Sequence, residues 1–167
     1  AADAALLLNA AAHAAEPTPS EDKLEHASPA VSAAPSLAEA LAARLQSGRA
    51  VPQDAANALD ALGRLRCRHE GLFEAMAEYV PKRVLSFEPR DAVGVVVAYG
   101  RLQEFDEPTL LALAGHIHED MTRFSIGELA AIATAFARLR MREVRLLQGM
   151  MEHCALPASR EALTPED

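Results

Sequence analysis

Three copies of one short stretch restrict this chain more than any other feature: Leu62-Gly63-Arg64-Leu65, Tyr99-Gly100-Arg101-Leu102 and Phe136-Ala137-Arg138-Leu139. Leu65, Leu102 and Leu139 are separated by 37 residues each time, and the chain overlays on itself at that step without a gap. Ala61, Ala98 and Ala135 then coincide, as do the acids Asp54, Asp91 and Glu128 and the apolar residues Met76, Leu113 and Met150. A unit of this size cannot bury its apolar face alone, so a period of roughly 20–50 residues predicts stacked units. The expected fold is all-α, a right-handed α-solenoid of helical hairpins.

Composition agrees with that class. Apolar residues make up 50% of the 167 and aromatic residues only 4%, so the core must be built from small side chains that let helices approach closely. The formal charge of −8 argues against a chain that takes nucleic acid mainly by long-range attraction, while leaving room for a local basic stripe. Cys67 and Cys154 do not form a disulfide framework. No stretch approaches the roughly 20 apolar residues of a membrane span.

In chain order, residues 1–50 read as a degenerate leading repeat, as solenoid ends commonly are. Its first helix covers residues 1–15. A flexible insertion rich in Pro, Ser and Glu follows at about 16–35, and a second helix runs from Ser36 to Gln46. Repeat one spans 51–87, with helix A from Pro52 to about Arg66 and helix B from Glu70 to Val80, where Pro81 is expected to end it. Repeat two spans 88–124; the β-branched run Val93–Tyr99 could pass for a strand by itself, but its register within the repeat predicts helix. Repeat three spans 125–161 and opens on Ser125-Ile126-Gly127-Glu128, a capping-box pattern. Its helix A is expected to reach about Arg140 and its helix B to cover Glu143–Cys154. Residues 162–167 resemble the opening of a further unit, which predicts a fragment of a longer protein whose import signal lies out of view.

The proline near each start, the acid two residues on, the Phe-Ala-Arg-Leu ending of helix A and the Leu-Phe-Glu-Ala-Met-Ala of helix B together resemble the heptatricopeptide repeats. These belong with the octotricopeptide and FAST-kinase-like repeats of organellar proteins, some of which carry a RAP domain. The resemblance covers residues 51–154; Ile126, Gly127 and Ala137 depart from the pattern. It implies a mitochondrial or plastid RNA-binding helical-repeat protein, often a processing factor or a ribosomal component. No RAP-like segment is visible.

Arg64, Arg101 and Arg138 form the sharpest candidate site, a ladder of guanidiniums at equivalent helix ends that would meet RNA phosphates without reading sequence. The competing reading makes them cations that offset helix dipoles. Repeat two carries seven acids against three bases, so repeat three is the better RNA candidate: Arg138, Arg140, Arg142 and Arg145 are expected to crowd the turn between its helices. His116 and His153 are equivalent positions expected side by side at the surface. Cys67-Arg68-His69 and the pair His116 and His118 lack the convergence a metal needs, and no nucleotide-binding loop or nucleophile elbow occurs. No cofactor, metal or catalytic residue is therefore expected.

Two functions follow as expectations. The first is a non-catalytic building block of an organellar ribonucleoprotein, above all a mitochondrial ribosome, holding rRNA or other RNA by its arginines and neighbouring ribosomal proteins by its acidic face. The second is a protein-only scaffold or accessory subunit of a mitochondrial membrane complex.

Overall fold

A computed structural model of the chain describes residues 29–155. The leading helix over 1–15, the insertion before Pro29 and the expected unit at 162–167 lie outside the described residues. Among the described residues seven α-helices follow one another: α1 (Pro29–Gln46), α2 (Pro52–Leu65), α3 (Glu70–Arg83), α4 (Pro89–Leu102), α5 (Glu107–Glu119), α6 (Ile126–Arg138) and α7 (Val144–Ala155). Short 3-10 turns at Val84–Ser86 and Met121–Arg123 lead into α4 and α6. Among the described residues there is no strand, and Val93–Tyr99 is helical.

The chain sorts these helices into two layers. One layer is α2 on α4 on α6; the other is α1 on α3 on α5 on α7. Each helix thus packs mainly on the helix two places along, and the core fills the space between the layers. Leu41, Leu59, Leu62, Leu72, Met76, Leu110, Leu113, Ile117 and Leu129 are fully buried there. Phe73 meets the Tyr99 ring edge-on at 5.1 Å, a favoured aromatic geometry.

Local chemistry fixes the helix starts. Proline occupies the first turn of α2, α4 and α5, where its missing N–H removes no helical bond. The His69 ring accepts from Leu72 N–H at 3.1 Å and the Asp106 carboxylate from Thr109 N–H at 3.2 Å, capping α3 and α5. Ser125 and Glu128 form the expected capping box at the start of α6.

Helix ends are equally regular. Arg66, Gln103 and Arg140 stand in the left-handed region with φ of 51, 54 and 55°. Beyond each, a backbone N–H reaches back to a helical carbonyl: Cys67 to Leu62, Glu104 to Tyr99 and Met141 to Phe136, all at 3.0 Å. These are Schellman turns that satisfy otherwise orphaned carbonyls. They also stop α2 at Leu65 and α6 at Arg138, short of the ends that the periodicity predicts.

Other expectations need correction. Composition predicts an insertion to Pro35, yet α1 starts at Pro29 and carries Pro35 inside it. Packing of α1 on α3 through Ala38, Leu41, Ala42 and Leu45 outweighs the lost backbone bond. Pro81 likewise does not end α3, which continues to Arg83; its ring is exposed, where water can take the released carbonyl. His116 is no surface residue. It is 6% exposed, and its Nε2 donates to the Phe87 carbonyl at 2.9 Å. In the preceding hairpin the Tyr79 hydroxyl donates to the Ala50 carbonyl, also at 2.9 Å.

Candidate functional site

The site begins with the stacking of α2, α4 and α6. Arg64, Arg101 and Arg138 each lie in the last turn of their helix, so stacking sets them along one edge of the layer. Close approach of the helices depends on small residues just before them. A Cβ on Gly63 would lie 3.5 Å from Ala98 Cα, and one on Gly100 would lie 2.8 Å from Ala135 Cα.

The three arginines border one open cleft of about 760 Å³, together with Arg66, Arg68, Gln103 and the two glycines. Sequence reasoning finds the ladder but misses Arg66 and Arg68. They reach the cleft because the left-handed Arg66 reverses the chain at the end of α2 and returns it along the same edge. The available signal was three arginines at alternate positions, Arg64, Arg66 and Arg68, running straight into that turn.

Two carboxylates organise these cations. Asp60 accepts from Arg64 Nε at 2.9 Å through one oxygen and from Arg101 Nη1 at 2.8 Å through the other, joining successive members of the ladder. Glu104 receives Arg68 through both oxygens, with Nη2 at 2.8 Å. That hydrogen-bonded pair, and the carboxylate's charge, hold the Arg68 guanidinium above its ordinary pKa. Arg66 and Arg138 have no ion-pair partner among the described residues. Among the described residues, five guanidiniums line the cleft and two carboxylates, Asp60 and Glu104, bind three of them, which leaves a positive excess there in a chain whose formal charge is −8.

All three arginines stand in the last turn of their helices, where a cation offsets the helix dipole, and their side chains also reach beyond that role. Arg101 spends its Nη1 on Asp60, and Arg138 makes no hydrogen bond to a carbonyl among the described residues. Arg64 and Arg101 also border a smaller groove, of about 390 Å³, along α2 and α4 beside Arg90 and Asp91. The edge is therefore continuous with a groove where charges of both signs meet.

The remaining candidates do not join this cleft. Arg140 and Arg142 border a separate hollow with Phe136, Met141 and Leu147, and Arg145 borders another with His118, Glu119 and Glu143. The expected crowding of Arg138, Arg140, Arg142 and Arg145 is thus divided among three surfaces. The turn at Arg140 redirects the chain, and Arg145 is carried onto the groove between α5 and α7. Among the described residues no group of three His, Cys, Asp or Glu is placed to hold a metal ion, and no helix is long and apolar enough to cross a membrane.

Comparison with known proteins adds no label to this geometry: no family model matches the chain, and a search of curated proteins finds no match.

Proposed function

We propose that this chain is a non-catalytic right-handed α-solenoid of 37-residue hairpins that holds RNA by its phosphates in the arginine cleft. One observation carries the reading: Arg64, Arg101 and Arg138 converge with Arg66 and Arg68 on a single open cleft of an otherwise acidic chain. Planar guanidiniums suit phosphate oxygens, and contacts of this kind position a strand without reading it. The solenoid is supported by features recurring at the repeat interval: left-handed residues 66, 103 and 140, and the Tyr79 and His116 bonds to the carbonyls of Ala50 and Phe87. The resemblance to heptatricopeptide repeats extends the proposal to a mitochondrial ribosome or related ribonucleoprotein. There the acidic surfaces would meet neighbouring proteins.

A protein-only scaffold of a mitochondrial membrane complex is the second reading. It draws on Asp60 and Glu104, carboxylates to which these guanidiniums already donate.

Salt dependence of RNA binding separates the two. Each phosphate neutralised on a single strand contributes about 0.7 to the slope of log affinity against log salt. Changing Arg64, Arg101 and Arg138 together to Gln should therefore lower the slope by about 2. An unchanged slope, or no binding by the native chain, would contradict the reading; tighter binding of polyglutamate than of RNA would favour the scaffold.

A further inference from the structure

Six of the seven aromatic side chains, Phe73, Tyr79, Phe87, Tyr99, Phe124 and Phe136, are buried, whereas Phe105 is 57% exposed. Exposure of one apolar side chain means little by itself, and aliphatic residues such as Leu85 and Met151 are exposed as well. The setting of Phe105 is what distinguishes it. It lies two residues beyond Gln103, which lines the arginine cleft. Thirty-seven residues before it, at the equivalent position of the previous hairpin, stands Arg68, which also lines the cleft.

The loop that carries Phe105 is fastened on both sides. Glu104 is gripped by Arg68 through two hydrogen bonds, and Asp106 is committed to the α5 cap through Thr109 N–H. Gln103 holds the left-handed turn that ends α4. Phe105 is thus presented to solvent between two anchored neighbours instead of folding back on the core. Gln103 places a long amide side chain at a backbone position that glycine would fit with less strain.

Resting on the proposed phosphate cleft, we infer that Phe105, two residues beyond the lining residue Gln103 and itself outside the cleft's lining, is a stacking platform for an unpaired base of a strand held there. The ligand class is therefore single-stranded RNA. In a duplex, bases are stacked on one another and cannot reach an aromatic face, while phosphates remain available to arginines. Stacking on an aromatic ring tolerates any base, because each has a π-face. The arginines then supply charge attraction, and Phe105 supplies the preference for a strand over a helix.

Fluorescence anisotropy tests this with two probes, a 12-nucleotide oligo(A) strand and a 12-base-pair RNA duplex. The native chain should bind the strand more tightly. Phe105→Ala should weaken strand binding by about 5- to 150-fold, the usual effect of losing one stacked base. It should leave duplex binding and both salt slopes unchanged, since no phosphate contact is lost. Phe105→Tyr should restore strand binding. Thermal melting of each variant controls for folding. Equal binding of strand and duplex by the native chain, or a Phe105→Ala variant that binds the strand as the native chain does, would overturn the inference while leaving the phosphate cleft intact. Absence of binding to either probe would overturn the cleft, and the platform with it.

Discussion

Gly100 in α4 faces Ala135 in α6 so closely that a Cβ at position 100 would lie 2.8 Å from both the Cα and the Cβ of Ala135. Real side chains do not approach that near, and half of the contact is backbone. This pair sets the distance between two helices that carry Arg101 and Arg138 to the cleft. Gly100→Ala should therefore destabilise the fold by about 1–3 kcal/mol through overpacking. Gly63→Ala meets Ala98 at ordinary contact distance, 3.5 Å, and should be neutral or stabilise by up to about 1 kcal/mol. Urea denaturation of the two variants checks the contrast. Equal stabilities would show that the α4 and α6 backbones are not held at this separation.

Tyr79 ties two hairpins together. Its hydroxyl donates to the buried Ala50 carbonyl at 2.9 Å, while its ring packs against Phe87. Tyr79→Phe keeps the ring and leaves the carbonyl unpaired, so a loss of about 1–3 kcal/mol is expected from chemical denaturation. A change within experimental error would mean that water replaces the bond.

The left-handed residues make a prediction of opposite sign. Arg66, Gln103 and Arg140 hold a backbone conformation that glycine adopts without steric cost. Replacing any one by Gly should raise stability by about 0.5–1 kcal/mol. For Arg66 and Gln103, which line the cleft, the same change should weaken RNA binding. A gain in melting temperature together with a loss of affinity is the pattern of a residue kept for its side chain. Lower stability in the glycine variants would refute the strain argument.

Asp91 in the first turn of α4 gives a pH dependence. Burial is the main cause that raises its pKa above the ordinary carboxylate value of 3.8, with the Glu88 charge adding to it and the Glu88 backbone hydrogen bond opposing. A carboxyl that binds its proton more tightly in the folded state stabilises the fold at low pH. That contribution is lost as pH rises from 3.8 through the raised folded value. Relative to the native chain, Asp91→Asn should thus become progressively more stable as pH increases across this window. Parallel stability curves for the two proteins would show that Asp91 has an ordinary pKa.

Much of the architecture was legible because local signals agreed with one another. Proline and acid at the start of α2 and α4, the Ser125 and Glu128 box, and the recurring apolar positions all pointed to helices, and helices formed there. The misreadings fall where distant contacts decide. Pro35 stays inside α1 because that helix packs on α3, and His116 is buried because Phe87, 29 residues earlier, offers it a carbonyl. The candidate site was half legible. Periodicity aligns Arg64, Arg101 and Arg138, but Arg66 and Arg68 join them only through a left-handed turn, and Arg140 leaves through the equivalent one.

Ultraviolet crosslinking of the protein to RNA, followed by mass spectrometry of the modified peptides, tests the central claim most directly. The account predicts nucleotide adducts on peptides that contain 63–68 and 100–105, lost when Arg64, Arg101 and Arg138 are changed to Gln. Adducts confined to the outer surfaces of α3 and α5, or no adducts at all, would contradict it.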